Sequence, residues 1–388
     1  MKIEKAERLK KLPPYLFAEI DKAKRKAKSE GRDIIDLGVG DPDQPTPRHI
    51  IEKLSEAAFD PANHHYALDA GMPALRQAIA AWYKKRFDVE LEPDKEILPL
   101  IGSKEGLTHL PLGVINPRDI VLIPEPCYPA YRSAVIFAGG NFEHIPLLEE
   151  NQFLPQFAQI SPAVIKKTKL LYLNYPHNPT GAVADLGFFA SAVKFAQKHG
   201  IILVQDAAYS EVAYDGFSMP SILQIEGAKD IAVEFHSLSK TYNMTGWRIG
   251  WVCGNSDVIA CLAQVKANVD SGIFQAVQIA GIAALNSPPI YLEKLNALYH
   301  ERRDILVQEL SAIGWKIPKP QATFYMWVRL PQGYSDSLQF ARLLLEKADV
   351  IVTPGIGFGP SGEGYIRIAL TVSRDRLKEA VERIRKAV

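Results

Sequence analysis

The tract Ser237-Leu238-Ser239-Lys240-Thr241-Tyr242-Asn243-Met244-Thr245-Gly246-Trp247-Arg248-Ile249-Gly250 follows a short apolar run. It combines two hydroxyls, a primary amine and, eight residues after Lys240, the guanidinium of Arg248. Hydroxyl and guanidinium donors suit a phosphate, and Gly246 permits the tight turn that would gather them. A lysine left beside such a site has an amine available for a carbonyl. Taken alone, Ser-x-Ser-Lys is just as well a solvated loop with an incidental lysine, so the rest of a phosphate-plus-aldehyde pocket must come from elsewhere in the chain.

Further elements stand upstream. Asp206 follows the apolar run Ile201 to Val204, which predicts a carboxylate at the C-terminal edge of a strand, where α/β sheets place their ligands. A phosphate together with an aldehyde describes pyridoxal 5′-phosphate, and Asp206 would pair with its protonated pyridine nitrogen. Tyr209, three residues on, and Asn178 of Asn178-Pro179-Thr180-Gly181 offer donors to the cofactor's phenolic oxygen, although Asn-Pro-x-Gly alone is a turn. Gly102-Ser103-Lys104 ends one apolar run and opens a helical one, so its N–H groups and Ser103 would face phosphate oxygens at a positive helix end. Tyr128 could stack on the ring.

With these motifs in this order the chain resembles the class I/II aminotransferases, fold-type I pyridoxal-phosphate enzymes, over essentially its whole length. Three tracts, Asp36-Leu37-Gly38-Val39-Gly40-Asp41-Pro42, Ile101-Gly102-Ser103-Lys104-Glu105-Gly106 and 234–248, are similar to the branch that acts on LL-2,6-diaminopimelate. The resemblance implies an α/β fold: a large domain with a mostly parallel seven-stranded sheet, and a smaller α+β domain from both chain ends. It implies that Lys240 carries the cofactor as a Schiff base, with Lys240, Asp206 and Tyr209 catalytic. Ser103, Lys104, Ser237, Ser239 and Arg248 would surround the phosphate, with Tyr66 reaching it from a partner subunit of a homodimer. Tyr128, Asn178, Asp206 and Tyr209 would hold the ring. Arg367 would grip the substrate's α-carboxylate, with Tyr15, Gly40, Lys104, Tyr128 and Asn178 as further substrate contacts. The tract 64–69 departs from the aromatic and proline-rich pattern of the family around Tyr66. Amino and keto acids are the implied substrates, with glutamate and 2-oxoglutarate as the second pair. Alanine or aspartate transamination, a carbon–sulfur β-lyase, or a cofactor-sensing regulator are the alternatives; the last would need a DNA-binding domain that the segment before the motifs is expected to be too short to hold.

The elements that must position these residues are legible in the pattern. Apolar runs at Ile97–Ile101, Ile120–Ile123, Lys169–Leu173, Ile201–Val204, Ile231–Phe235 and Ile249–Cys253 alternate with amphipathic stretches, as in βαβ units with a parallel sheet. One helix is expected from a cap at Asp185 to a stop at Gly200, burying Phe188, Phe189, Val193 and Phe195. A longer one is expected from Ser287-Pro288-Pro289 towards Gly314, as a connector. Phe324–Val328, a helix around Phe340–Ala348, Val350–Thr353 and Tyr365–Leu370 then read as α+β. The division expected is an N-terminal segment, 1–45, joining the small domain, a large cofactor domain, 46–286, and a connecting helix with the C-terminal small domain, 287–388.

Composition narrows the alternatives. The 388 residues carry 45 Lys plus Arg against 44 Asp plus Glu, a balance without the electrostatic footprint of nucleic acid or membrane binding. The charged first residues lack an apolar leader core, which predicts a cytoplasmic protein. Cys127, Cys253 and Cys261 form no Cys-x-x-Cys pair, and no metal site is expected. Gly357-x-Gly359-x-x-Gly362 spells a dinucleotide fingerprint but precedes a strand pattern instead of a helix, so NAD binding is rejected. The histidines are not needed for this chemistry; His109 and His199 read as helix-surface or packed residues, and His177 as a contact behind the site.

Overall fold

The computed structural model describes residues 3–13, 16–67, 69–315 and 317–388, those at 16–21 and 28 by backbone alone. Its centre is a seven-stranded sheet in the spatial order Ile97–Leu100, Gly250–Gly254, Ala232–Ser237, Ile202–Asp206, Thr168–Asn174, Ile120–Glu125 and Asn141–Pro146. Gly250–Gly254 is antiparallel to both neighbours, and every other pairing is parallel. The inner strands are apolar on both faces because helices cover both, as parallel sheets require. One core cluster includes Leu171, Leu203, Phe189 and Trp251, and the other Leu170, Val204, Phe235 and Leu107. The expected mostly parallel α/β sheet is present. Its edge strand Asn141–Pro146, largely exposed, carries too few apolar residues to stand out in the sequence.

The helix Leu186–His199 shows its local grammar. Asp185 accepts the Phe188 N–H at 2.7 Å, and Gly200 closes the helix with φ +65°, the left-handed conformation that glycine adopts without strain. Phe189 and Val193 are fully buried, with Phe188 and Phe195 packed at the margin.

After the helix Ile290–Ala312, a second core forms around the antiparallel strands Thr353–Pro354, Tyr365–Ala369 and Tyr325–Arg329, with the helices Ser337–Ala348 and Arg374–Ala387. Ile35–Asp36 pairs in parallel with Val350–Ile351, so the N-terminal segment is stitched to the C-terminal part. The run expected as one strand at Val350–Thr353 is two short ones in different sheets, because Val350 and Ile351 pair with the N-terminal segment while Thr353 pairs with Arg367. Tyr209, Val212 and Tyr214 also pack into this second core, which carries the loop after Asp206 across to it. Among the described residues no helix is long and apolar enough to cross a membrane.

Candidate active site

Three parallel strands end at Asn174, Asp206 and Ser237, and a cavity of about 360 Å³ opens at these carboxyl ends, as expected for α/β sheets. It gathers Gly40, Ser103, Lys104, Tyr128, Asn178, Asp206, Tyr209, Ser237, Ser239, Lys240, Arg248 and Arg367. These residues come from segments more than 300 positions apart. Tyr66 does not join them in its own chain: it is 93% exposed and lies beside Ser271, Gly272 and Phe274. Tyr15 lies outside the described residues.

At one end of the cavity the strand Ile97–Leu100 turns into the helix Ser103–Val114. No side chain caps that helix, so N–H groups of its first turn remain for a ligand. Gly102 takes φ +75°, and a Cβ there would run into the Arg248 guanidinium; the glycine makes the space that brings arginine against the turn. Arg248 Nη1 donates to the Thr245 carbonyl at 2.9 Å, which fixes its fork. Glu105 reaches back to accept the Ile101 N–H at 3.0 Å, holding the turn from behind.

Asp206 is the last residue of its strand, at the sheet's C-terminal edge. The Tyr131 hydroxyl donates to its Oδ2 at 2.7 Å, and the Ala208 N–H to its Oδ1 at 3.3 Å. Burial outweighs both bonds and lifts the carboxyl to about 6, because a desolvated carboxylate lacks the hydration of its charged form. A cationic ring nitrogen beside it would reverse that penalty. The Tyr209 hydroxyl shares a 3.0 Å hydrogen bond with Tyr325, and burial keeps it protonated by raising it well above the ordinary tyrosine range.

Lys240 follows the strand Ala232–Ser237 in a single helical turn, Leu238–Thr241, and donates to the Gly40 carbonyl at 2.9 Å. Desolvation pushes its amine below the usual lysine range, with Arg367 and Arg248 adding electrostatic repulsion. A larger neutral fraction is what nucleophilic attack on a carbonyl requires. Arg367, buried, donates to Asn178 Oδ1 at 2.8 Å and the Gly38 carbonyl at 2.7 Å, and its guanidinium lies 4.0 Å above the Tyr325 ring. Arginine only donates, so the Asn178 oxygen must face it, which leaves the Asn178 NH₂ for another acceptor. Gly40 is glycine because a Cβ would collide with Tyr325.

Tyr131 and Tyr325 were missed in the sequence. Tyr131 had a signal, standing three residues after Tyr128 and so on the same side of a helix start; Tyr325, an aromatic in a strand, reads as core. His177 is outside the cavity, bonded to Thr180 at 2.7 Å and kept neutral by burial, its pKa lowered to about 3. Glu105, His109 and Asp270 lie close enough to share a cation, but Lys266 already places its ammonium 2.6 Å from Asp270 and 3.6 Å from Glu105. The three cysteines are free thiols.

The set fits pyridoxal 5′-phosphate on three counts: an uncapped helix start with arginine and hydroxyls for a dianion, a buried carboxyl that calls for a cationic partner, and a depressed lysine for an aldehyde. Sheet, cavity and lysine together define a fold-type I, pyridoxal-phosphate-dependent aminotransferase. The family model Aminotransferase class I and II matches residues 32–384, and the chain belongs to that family. It is 52% identical over 385 residues to an LL-diaminopimelate aminotransferase of Halothermothrix orenii, covering 99% of each chain. It is 52% identical over 382 residues to that of Aquifex aeolicus, covering 98% of each. Among solved structures it matches substrate-bound BacF from Bacillus subtilis with a TM-score of 0.96 at 41% identity, covering 100% of this chain and 98% of that one. An aspartate aminotransferase variant from Thermus thermophilus matches with a TM-score of 0.93 at 29% identity, over the whole of both chains.

Proposed function

We propose that this aminotransferase exchanges amino groups between LL-2,6-diaminopimelate and 2-oxoglutarate, working as a cytoplasmic homodimer. The observation that carries the substrate is the identity of about half of all residues, end to end, with enzymes named for LL-diaminopimelate. In this reading residues 46–286 hold the cofactor, and residues 1–45 with 287–388 supply Arg367.

The bound cofactor supplies a carbonyl for the amino group and an electron-withdrawing ring that stabilises negative charge developing at the substrate Cα. The residues of this chain do the rest. The turn at Ser103 and Lys104, with Ser237, Ser239 and Arg248, anchors the phosphate. Asp206 would keep the ring nitrogen protonated, Tyr209 and Asn178 would donate to the phenolic oxygen, and Tyr128 would pack against the ring face. Arg367 fixes the substrate's α-carboxylate by a two-pronged contact, presenting the Cα hydrogen to Lys240. The Lys240 amine is the group placed to take the Cα proton and hand it back in the next step, serving as general base and then as general acid. Both half-reactions use this one cavity, so ping-pong kinetics follow.

The far end of diaminopimelate carries an ammonium and a carboxylate, which need polar partners when buried. Lys104, Tyr15 and the backbone near Gly40 are assigned to them. Tyr66 is assigned to the phosphate of the neighbouring subunit, in keeping with its exposure and with exposed Phe59 and Phe274 on the same chain. Purified enzyme assayed against a panel of amino donors with 2-oxoglutarate tests the reading. The LL isomer should exceed alanine and aspartate in kcat/KM by about 10⁴ or more, the discrimination of sites built to pair a polar end. Equal or better activity with alanine or aspartate would overturn the substrate while leaving the aminotransferase in place.

A further inference from the structure

The glycine tract Gly357-x-Gly359-x-x-Gly362 has a role other than dinucleotide binding. It forms two consecutive 3₁₀ turns, Gly355–Phe358 and Pro360–Gly362, just before the strand that carries Arg367. Gly359 has φ +123°, and a Cβ there would stand 2.5 Å from Glu125 Oε2. Glu125 is the buried last residue of the strand Ile120–Glu125 in the central sheet, whereas Arg367 belongs to the separate three-stranded sheet. Its Oε1 accepts both the Ser361 N–H at 3.0 Å and the Ser361 hydroxyl at 2.9 Å. His144 and Arg132 face Oε2 at 3.1 and 3.8 Å. Two residues on, the Cys127 N–H donates to the Phe358 carbonyl at 2.9 Å. The Phe358 ring, fully buried, lies 4.9 Å from the Arg367 guanidinium.

We infer that Glu125 is a positioning residue for substrate: by clasping Ser361 it fixes the 355–362 turn, and through the Phe358 ring it sets the plane in which Arg367 meets the substrate's α-carboxylate. The inference rests on Arg367 being the carboxylate grip. A guanidinium pairs with a carboxylate in two prongs only when the two planes coincide, so a small tilt costs one of two charge-assisted bonds. Glu125 sits at the end of the central sheet, which also carries Asp206, and so refers the grip to the frame that holds the ring. Glycine at 359 is what lets the carboxylate reach Ser361, and any side chain there would push the turn off Glu125.

The experiment compares Glu125→Ala, Glu125→Gln, Ser361→Ala and Arg367→Lys in the holoenzyme, measuring KM for the amino donor and for the 2-oxo acid, kcat, and cofactor affinity. Glu125→Ala should raise both KM values about tenfold, the worth of one well-placed hydrogen bond, with kcat and cofactor affinity within about twofold of wild type. Glu125→Gln keeps an acceptor for Ser361 and should recover most of the loss. Ser361→Ala removes one of the two bonds at an exposed residue, so it should fold normally and raise both KM values a few-fold. In the Arg367→Lys background, Glu125→Ala should add little. Unchanged KM in Glu125→Ala and Ser361→Ala, cofactor affinity falling in step with KM, or full additivity with Arg367→Lys would overturn the inference while leaving the function intact. Unchanged KM in Arg367→Lys would overturn the grip itself, and the inference with it.

Discussion

The Tyr131 hydroxyl donates to Asp206 Oδ2 at 2.7 Å inside the sheet's helical cover. Tyr131 itself is stacked on Tyr172, with ring centres 4.6 Å apart and planes within 12°, and the Tyr172 hydroxyl is tied to the Leu107 carbonyl at 2.8 Å. The carboxylate that would pair with the ring nitrogen is thus aimed by a chain running into the helix Ser103–Val114, the same helix whose uncapped start is proposed for the phosphate. In that proposal both ends of the cofactor would be referred to one element.

Tyr131→Phe removes a hydrogen bond to the ionised form of Asp206 and should push that carboxyl above its already raised value of about 6. The ring nitrogen would then be held less firmly in its protonated state. We expect kcat to fall about tenfold, a charge-assisted bond being worth some 1.5 to 3 kcal/mol before compensation. The acidic limb of the kcat profile should move to higher pH. A profile and kcat identical to wild type would show that Asp206 does not depend on this donor.

Asp206→Asn separates stability from function. A carboxyl lifted from 3.8 to about 6 on folding holds its proton more tightly folded than unfolded. Its contribution is therefore most favourable below about pH 4 and is lost as pH rises through about 6, a loss near 3 kcal/mol for a shift of about two units. Cofactor-free Asp206→Asn should lack this slope and melt higher than cofactor-free wild type at pH 7 to 8, while turnover falls by orders of magnitude. Melting temperatures of the two apoproteins across pH 4 to 8 measure it; parallel curves would refute it.

Lys240→Ala should retain the cofactor through its phosphate and ring contacts but lose covalent attachment, seen as loss of the visible band of the lysine-bound cofactor, and should lose turnover. Among the described residues no other amine in the cavity is comparably placed: Lys104, the second lysine there, lies in the first turn of a helix at the end proposed for the phosphate. Turnover within tenfold of wild type would sink the assignment.

What was legible in the sequence was what depends on local pattern. The strands of the sheet's centre announce themselves as apolar runs because both faces are covered, whereas the edge strand Asn141–Pro146 is largely exposed and has no such reason to be greasy. Lys240, Asp206, Asn178 and Arg248 stood out because each is a chemically distinctive residue beside a strand end. The Tyr209 to Tyr325 contact and the Glu125 to Ser361 clasp did not, since each joins residues over a hundred positions apart that carry no mutual spacing signal. The glycine fingerprint was set aside on the strand pattern that follows it; what the sequence did not show is that Gly359 admits the Glu125 side chain and Gly362 the Gly355 backbone.

Tyr66 leads to the last prediction. It is 93% exposed and absent from the lining of its own chain's cavity, so if it serves a phosphate at all it serves a neighbour's. Tyr66→Phe should lower activity about tenfold or more, since a lost hydrogen bond to a charged group is worth roughly 1.5 to 3 kcal/mol. Lys240→Ala is inactive for a different reason. When the two variants are mixed, dissociated and reassembled at random, half of the dimers carry one subunit of each kind. In each of these, the site that keeps Lys240 receives an intact tyrosine from the other chain and is wild type, while the other site carries both lesions. About a quarter of all sites should then regain full activity, as expected for active sites shared across a two-fold interface. If Tyr66 acted within its own chain, no site would be repaired, and the mixture would show only the average of its two parents.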